Sequence, residues 1–318
     1  MRIRGLWRVQ DGAARLRKGM IAAARSIMAR ARALHANRHL AWQRLVLATK
    51  RSGSLFSCRG YAVRIHDVPY TYLLYKDSFV RRIYHFEAHC RDPLILDCGS
   101  NIGMSVLYFK SVYPHARIIG FEPDPAVFPY LRENVDRNRL LDVTLVQAAL
   151  ASQEGQLLFF SDGTCGSCLA GHAPDDVEDG RWVKHQVPCV RLRDYLIEPI
   201  DFLKMNIESA EWEVLADSED RLRQIREMVI EYHHLPGLAR TLHDILALLH
   251  RQGFAYLIHD FDAETNPGSV PPFRLAPDSR YWLLIYAKRL DAHPSGDRGA
   301  AEHQLSVREP VAACGGGR

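Results

Sequence analysis

A short stretch with one acid and several small and polar residues follows the apolar run Pro93–Leu96. It reads DCGSNIG and runs from Asp97 to Gly103. Gly99 lets the backbone turn sharply and approach a ligand closely, and Asn101 tolerates left-handed backbone geometry. Gly103 permits close packing of a helix against the sheet. We therefore expect a strand-to-helix turn that is shaped to lie against a bound molecule.

A second acidic residue stands where a ribose could be recognised. Glu122 follows Gly103 by 19 residues and comes directly after the apolar run Arg117–Phe121. A carboxylate at the end of a second strand can accept hydrogen bonds from both hydroxyls of a ribose. The turn and Glu122 together predict a site for a cofactor that carries a nucleoside.

The acid that begins the turn distinguishes between two classes of cofactor. Dinucleotides usually require G-x-G-x-x-G, with the pyrophosphate at a helix N-terminus. Here the spacing is G-x-N-x-G, and Asp97 precedes it. Asp97 would repel a pyrophosphate but suits the cationic amino-acid end of S-adenosylmethionine. The sequence favours S-adenosylmethionine; a nicotinamide-dependent oxidoreductase or epimerase, or a turn without a ligand, are the alternatives.

Candidate catalytic residues follow two later apolar runs. His233 and His234 follow Met228–Tyr232, and Glu208 follows Phe202–Ile207. Methyl transfer to a hydroxyl needs no covalent enzyme intermediate, but a base that takes the hydroxyl proton contributes roughly 10²–10⁴-fold. Histidine titrates near neutrality, so we predict that one of the two is the base, since strand side chains alternate between faces. Glu208 is predicted to orient the base or the substrate, or to replace the base; the alternative is that it caps the helix that follows it.

The elements that must position these residues alternate between strand and helix. Strands are predicted, in chain order, at Leu94–Asp97, Arg117–Phe121, Val143–Ala148, Phe202–Ile207, Met228–Tyr232, Phe254–His259 and Tyr281–Ala287. Helices are predicted at Ile102–Tyr113, Pro125–Asn138 and Leu238–Gln252. This alternation indicates an α/β fold whose mostly parallel sheet has helices on both faces. Ligands of such sheets bind beyond the carboxyl ends of the strands, where the candidate residues fall.

Five segments between residues 93 and 235 resemble the FkbM-type S-adenosylmethionine-dependent methyltransferases. They read LDCGSNIG, GFEPDPAVFPYLRENVDRN, AALAS, LKMNIESAEWEVL and VIEYHH. The resemblance implies a class I methyltransferase (Rossmann-like) fold, a seven-stranded sheet with an antiparallel last strand, and O-methylation of a small molecule or glycan. It also implies contacts with the cofactor, from Asp97, Gly99, Asn101 and Gly103 on the methionine and ribose side, Glu122 at the ribose hydroxyls, and Gln147 and Ala148 at the adenine.

Two residues depart from the pattern of that family. Its members typically show K-x-D-x-E-G-x-E, and here Asn206 and Ser209 replace the aspartate and the glycine. Lys204, Glu208 and Glu211 are kept. The departures leave a non-catalytic, methyltransferase-like binding module as an alternative to an enzyme.

The 318 residues divide into four predicted segments. Residues 1–50 form a basic amphipathic helical arm, 51–92 a preface of β-hairpin and helix, 93–290 the methyltransferase domain, and 291–318 a disordered tail. Residues 1–51 hold 13 Lys or Arg and one acid, which gives them a net charge of +12. The whole chain has a net charge of +4, so the remaining residues carry a net charge of −8. Because only the arm is basic, no nucleic-acid partner is predicted. The arm could contact an acidic membrane, contact a protein, or pack on its own domain.

The cysteines and apolar stretches predict a compartment and exclude two features. Seven scattered cysteines indicate reduced thiols, which predicts a cytoplasmic protein. No stretch approaches 18 continuous apolar residues and the amino terminus lacks an apolar signal run, so neither a membrane span nor a secretory signal is predicted. Cys165 and Cys168, with His172, His185 and Cys189, have no standard zinc spacing. We predict a loop there and no metal site.

Overall fold

The structure is a computed structural model and describes residues 40–162, 167–169, 182–260, 276 and 279–290. Most of the predicted arm, up to residue 39, lies outside the described residues. The predicted tail, 291–318, also lies outside them.

The first described elements form a layer against one face of the main sheet. Residues 40–48 are helical, and Leu47 on this helix is buried in the core. The elements that follow are β1 (Leu55–Cys58), β2 (Tyr61–Arg64), α1 (Val68–Tyr75) and a π-helix (Lys76–Arg81). β1 and β2 form an antiparallel hairpin. α1 begins after Asp67, whose side chain accepts the Tyr70 backbone N–H at 2.8 Å.

Eleven further strands and four further α-helices make up the rest of the described chain. The strands are β3 (Leu94–Cys98), β4 (Arg117–Phe121), β5 (Val143–Val146), β6 (Ala149–Leu150), β7 (Gly155–Ser161), β8 (Ser167–Leu169), β9 (Val183–Val190), β10 (Ile200–Met205), β11 (Ile225–His234), β12 (Phe254–Asp260) and β13 (Tyr281–Arg289). The helices are α2 (Met104–Val112), α3 (Phe128–Arg137), α4 (Glu211–Asp217) and α5 (Leu242–Arg251). Short 3₁₀ turns lie at Leu192–Tyr195 and Glu219–Gln224.

The main sheet has seven strands in the order β12-β13-β11-β10-β3-β4-β5. The strands from β11 to β5 pair in parallel with their neighbours. β13 pairs antiparallel with both β11 and β12. This confirms the predicted α/β fold with a mostly parallel sheet and an antiparallel last strand.

Each face of the main sheet has its own apolar core, because strand side chains alternate between faces. Ile95, Phe202 and Val229 pack with the first described elements and with α2 and α3. Leu96 and Leu203, one position on, pack on the other face with α4 and α5. Because both faces of β3 are buried, its residues before Asp97 are all apolar and do not alternate with polar ones.

The structure corrects several predicted boundaries. The predicted helix Leu238–Gln252 begins only at Leu242, and the predicted strand Met228–Tyr232 is part of the longer β11, Ile225–His234. The predicted strand Val143–Ala148 ends at Val146, and the chain then joins a second sheet of order β6-β9-β7-β8. The predicted helix Pro125–Asn138 begins only at Phe128. The Asp124 side chain accepts the Ala126 backbone N–H at 2.7 Å, which forms a turn before the helix.

No helix in the described ranges is both long enough and apolar enough to span a lipid bilayer.

Candidate active site

The turn after β3 needs glycine at its centre. Gly99 has φ +87°, and a Cβ there would lie 1.8 Å from the backbone carbonyl oxygen of Asn206, at the end of β10. Asn101 has φ +47°, and its Oδ1 accepts the Ile102 backbone N–H at 2.9 Å. Gly103 has φ +87°, and a Cβ there would lie 2.8 Å from a Leu131 methyl on α3. The absence of these side chains lets the turn pack between β10 and α3.

Asp97 lies beneath this turn and is fully buried. Its Oδ1 is 3.2 Å from Lys204 Nζ, and its Oδ2 accepts a hydrogen bond from Ser105 Oγ at 2.5 Å. Lys204 also donates to the carbonyl of Gly99. Asp97 therefore fixes the shape of the turn. Its predicted contact with the methionine end of the cofactor stays a prediction.

Glu122 stands after β4, beside the turn, and is also buried. Its Oε2 accepts the Asn101 backbone N–H at 2.8 Å, and its Oε1 accepts that of Asp124 at 2.9 Å. Burial raises the pKa of Glu122 to about 7, against the lowering effect of these hydrogen bonds. A carboxylate has about four acceptor positions, so each oxygen can still take one ribose hydroxyl.

A cleft opens beyond the carboxyl ends of the strands. Its lining is Gly99, Phe121, Glu122, Pro123, Ala148, Ala149, Leu150, Phe159, Asn206, Ile207 and Glu208. Most of these side chains are apolar, which suits the faces of an adenine, and Glu122 offers acceptors for ribose hydroxyls. This set of residues fits S-adenosylmethionine. Gly99, Glu122 and Ala148 all line the cleft, and their contacts with the cofactor stay predictions.

Gln147 has a different environment from its neighbour Ala148. It is exposed and lines a separate groove of about 790 Å³, together with Phe128, Pro129, Arg132, Glu133, Asp136, Arg137 and Arg139. This groove runs along α3. The larger groove is broad and mostly lined by charged side chains, so the smaller cleft remains the candidate site. Contact of Gln147 with adenine stays a prediction.

A strained turn brings Glu208 to the cleft. Glu208 and Ser209 have φ values of +54° and +78°, in the left-handed region that favours glycine. The Ser209 backbone N–H donates to Glu211 Oε1 at 3.2 Å, and its hydroxyl donates to the carbonyl of His233 at 3.3 Å. The glycine typical of the family at position 209 is explained by this backbone geometry. Serine keeps the turn and adds a hydroxyl contact to β11.

The two consecutive histidines lie on opposite faces of β11. His233 Nδ1 is 3.4 Å from Glu211 Oε1, and its Nε2 is 4.0 Å from Glu208 Oε2. His234 packs on the other face against Tyr281, with ring centroids 4.8 Å apart. Neither His233 nor His234 is among the described residues that line the cleft. Glu208 is therefore the predicted catalytic residue that reaches the cleft directly.

The pKa shifts assign different protonation states to Glu208 and His233. Burial opposes the charge on His233, but Glu208, Glu211 and Glu231 together raise its pKa to about 9. Burial raises the pKa of Glu208 to about 7, while the charge of His233 lowers it. About 30% of the Glu208 side chain is exposed, so it can exchange protons with solvent. His233 holds its proton near neutral pH, whereas Glu208 titrates there.

A buried hydrogen-bond network behind Glu208 could not be predicted from the sequence. Tyr84 Oη donates to Glu231 Oε1 at 2.5 Å, and Asn206 Nδ2 donates to Glu231 Oε2 at 2.9 Å. Burial raises the pKa of Glu231, and Lys204 opposes that shift. An aspartate at position 206 would place a second carboxylate against Glu231, so the amide of Asn206 suits this chain. Tyr84 is 147 residues from Glu231, beyond the reach of any local pattern.

The parallel sheet with an antiparallel last strand, the glycine turn after its first strand and the acid after the second define a class I methyltransferase fold. The family profile described as "Methyltransferase FkbM domain" matches residues 97–256. The chain belongs to this family. It is a methyltransferase, and its cofactor is S-adenosylmethionine.

Two relatives and one solved structure are similar to this chain. The chain is 31% identical to methyltransferase sdnD of Sordaria araneosa, over 57% of this chain and 81% of the relative. It is 30% identical to the 31-O-demethyl-FK506 methyltransferase FkbM of Streptomyces tacrolimicus, over 61% of this chain and 84% of the relative. A crystal structure of M. jannaschii TYW2 with AdoMet superposes with a TM-score of 0.43 at 12% identity, over 76% of this chain and 88% of that one.

Replacing Glu122 should weaken cofactor binding in a pH-dependent way. Glu122→Gln should reduce the affinity for S-adenosylhomocysteine by roughly 10–100-fold, since hydrogen bonds to a charged group contribute about 1.5–3 kcal/mol. Parental affinity should also fall as the pH drops through about 7, because a proton on Glu122 removes the charged acceptor. The variant should lack this pH dependence. Calorimetric titration between pH 6 and 8 measures both effects.

Gln147→Ala is the matched control for this experiment. Because Gln147 lines the separate groove, its replacement should leave the affinity within about twofold of the parental value. A folded Glu122→Gln variant with parental affinity would remove Glu122 from the cofactor site. A clear loss with Gln147→Ala would support the predicted adenine contact.

Proposed function

We propose that this methyltransferase acts on a hydroxyl oxygen of a small molecule or glycan, with Glu208 as the base. The observation that carries the proposal is the position of Glu208, which lines the cleft beside Asn206 and Gly99 and titrates near neutral pH. The Streptomyces tacrolimicus relative is named as a 31-O-demethyl-FK506 methyltransferase, which describes methyl transfer to an oxygen and supports the same acceptor chemistry.

One group of residues in the cleft would bind the cofactor and position its methyl group. S-adenosylmethionine, when bound, supplies an electrophilic methyl group on a sulfonium. Gly99, Glu122 and Ala148 would hold it, with its ribose at Glu122 and its adenine near Ala148. Holding two reactants in line can contribute roughly 7–11 kcal/mol to lowering the barrier.

Glu208 would take the proton of the acceptor hydroxyl on its carboxylate. His233 stays protonated on the far side of Glu208 and keeps part of the Glu208 population ionised at neutral pH. Glu211 fixes the orientation of His233 through its Nδ1 contact. His233 is thus a positioning residue in this proposal, in place of the predicted histidine base.

Two measurements test the proposal in sequence. Calorimetry with S-adenosylhomocysteine and NAD⁺ should show binding of the first and none of the second. Transfer of a radiolabelled methyl group should then occur to neutral polyols, methyl glycosides or macrolides, and not to matched amines or thiols. Labelling of amines alone would contradict the O-methyltransferase assignment while leaving the family assignment intact.

We also infer that the chain works in a reducing compartment such as the cytoplasm. Four cysteines in the described part of the chain, Cys58, Cys90, Cys98 and Cys189, are free thiols. Burial raises the pKa of Cys98 above its usual range, which suppresses the reactive thiolate. Fractionation of the source cells, followed by detection of the chain, tests the compartment.

A further inference from the structure

The helix over residues 40–48 presents apolar side chains to solvent. Trp42 is 62% exposed and Leu45 is 60% exposed. Residues three positions apart share one side of a helix, so the two side chains lie together. Leu47 is buried in the core, which fixes the helix to the domain and keeps Trp42 and Leu45 directed outward. We call Trp42 and Leu45 the outer face of this helix.

The outer face lies within the only strongly basic part of the sequence. Arg44, Lys50 and Arg51 accompany it, and residues 40–51 contain no acid. Residues 1–51 together hold 13 Lys or Arg and one acid, whereas the rest of the chain has a net charge of −8. Arg44 lies over the ring of Tyr72 on α1, 5.8 Å from its centroid, so a positive charge is held beside the outer face.

We propose that the outer face docks on an anionic lipid surface. Tryptophan and leucine on a helix insert at the boundary between headgroups and acyl chains, while neighbouring Lys and Arg bind anionic headgroups. A nucleic acid would match the charge, and an unpaired base could stack on Trp42, but it would offer no aliphatic surface for Leu45. An acidic protein would also match the charge, but the positive residues are distributed along the whole of 1–51 in the sequence, which favours an extended anionic surface. The proposal does not depend on the acceptor or on Glu208.

Vesicle binding of the full chain tests this docking. The probes are vesicles of phosphatidylcholine with 30 mol % phosphatidylglycerol and vesicles of phosphatidylcholine alone, measured by co-sedimentation. The chain should bind the anionic vesicles, bind the neutral ones far more weakly, and be released as salt rises. Trp42→Ala/Leu45→Ala should lower the affinity for anionic vesicles by about 10–100-fold, because two apolar side chains no longer enter the interface.

A matched control separates the outer face from general surface hydrophobicity. Leu257→Ala/Ile258→Ala removes two exposed apolar side chains from β12, on another part of the protein, and should leave vesicle binding within twofold. Both double variants should keep parental melting temperatures and S-adenosylhomocysteine affinity, since all four positions are exposed. Failure of the parental chain to bind anionic vesicles would overturn the proposal and direct attention to a protein or nucleic-acid partner. Equal binding by Trp42→Ala/Leu45→Ala and the parental chain would overturn it as well.

Discussion

Glu208→Gln should lower kcat for methyl transfer by about 10²–10⁴-fold while cofactor affinity stays near the parental value. The amide has nearly the same shape as the carboxylate but cannot take a proton from the acceptor hydroxyl. Glu208 lines the cleft, and His233 stands 4.0 Å behind it, so the loss should appear in the chemical step. Single-turnover transfer from a radiolabelled methyl donor measures that step directly.

The pH dependence of the rate distinguishes Glu208 from His233 as the base. A base works in its unprotonated form, so the rate should rise with pH through the pKa of the group that acts. With Glu208 as the base, the midpoint should lie near pH 7; with His233, it should lie near pH 9. His233→Ala should move the Glu208 midpoint upward, because the positive charge that lowers the Glu208 pKa is removed.

His234→Ala is the control for this series. His234 lies on the other face of β11 against Tyr281, and its replacement should change neither the rate nor the midpoint substantially. Near-parental rates for Glu208→Gln would reject Glu208 as the base. If His233→Ala then lost activity and the parental midpoint lay near pH 9, the histidine prediction from the sequence would hold instead.

Lys204→Met should destabilise the protein by about 3–5 kcal/mol, since removal of one partner from a buried ion pair leaves the other charge uncompensated. Lys204 and Asp97 stand opposite each other on β10 and β3, and both are buried. Natural domains are stable by only about 5–15 kcal/mol, so the variant should unfold at markedly lower urea. Urea titration followed by circular dichroism measures the free energy of unfolding.

Adding Asp97→Asn to Lys204→Met should recover much of the loss, because it removes the stranded buried charge. Lys50→Met changes an exposed lysine and should stay within about 0.5 kcal/mol of the parental protein. A loss below about 1 kcal/mol with Lys204→Met would indicate that Asp97 takes up a proton or water in the variant. In that case the ion pair would not be what holds the turn after β3 in place.

The local pattern of the sequence predicts the strands and turns that form one side of the cleft. The strand Arg117–Phe121 has the predicted bounds, and Gly99 and Glu122 follow β3 and β4 as predicted, because each depends on a single strand and the turn after it. Ala148 is expected from the family resemblance and lines the same cleft. The contacts of all three residues with the cofactor stay predictions. The helix α4 has only seven residues, too few for a clear helical period, so the sequence places a helix after Glu208 without predicting its bounds.

The acceptor half depends on contacts that no local pattern contains. Tyr84 reaches Glu231 from the first described layer, and Phe159 reaches the cleft from a second sheet built of β6 to β9. The choice between Glu208 and the histidines required the side-chain positions, because burial raises the pKa of Glu208 to about 7 while the carboxylates around His233 raise its pKa to about 9, so that Glu208 and not His233 titrates near neutral pH.

The position of β13 in the main sheet bears on the order in which the chain can fold during its synthesis. β11 carries Glu231 and His233 and lies between β10 and β13, with Glu231 paired to Leu284. The ribosome must therefore complete residues 281–289 before β11 gains its second neighbour, whereas β3, β4 and β5 can already associate. Until then β11 is an unprotected edge, open to wrong pairing with other chains. A nascent chain halted before residue 281 would hold the cofactor half of the sheet with an unfinished catalytic edge.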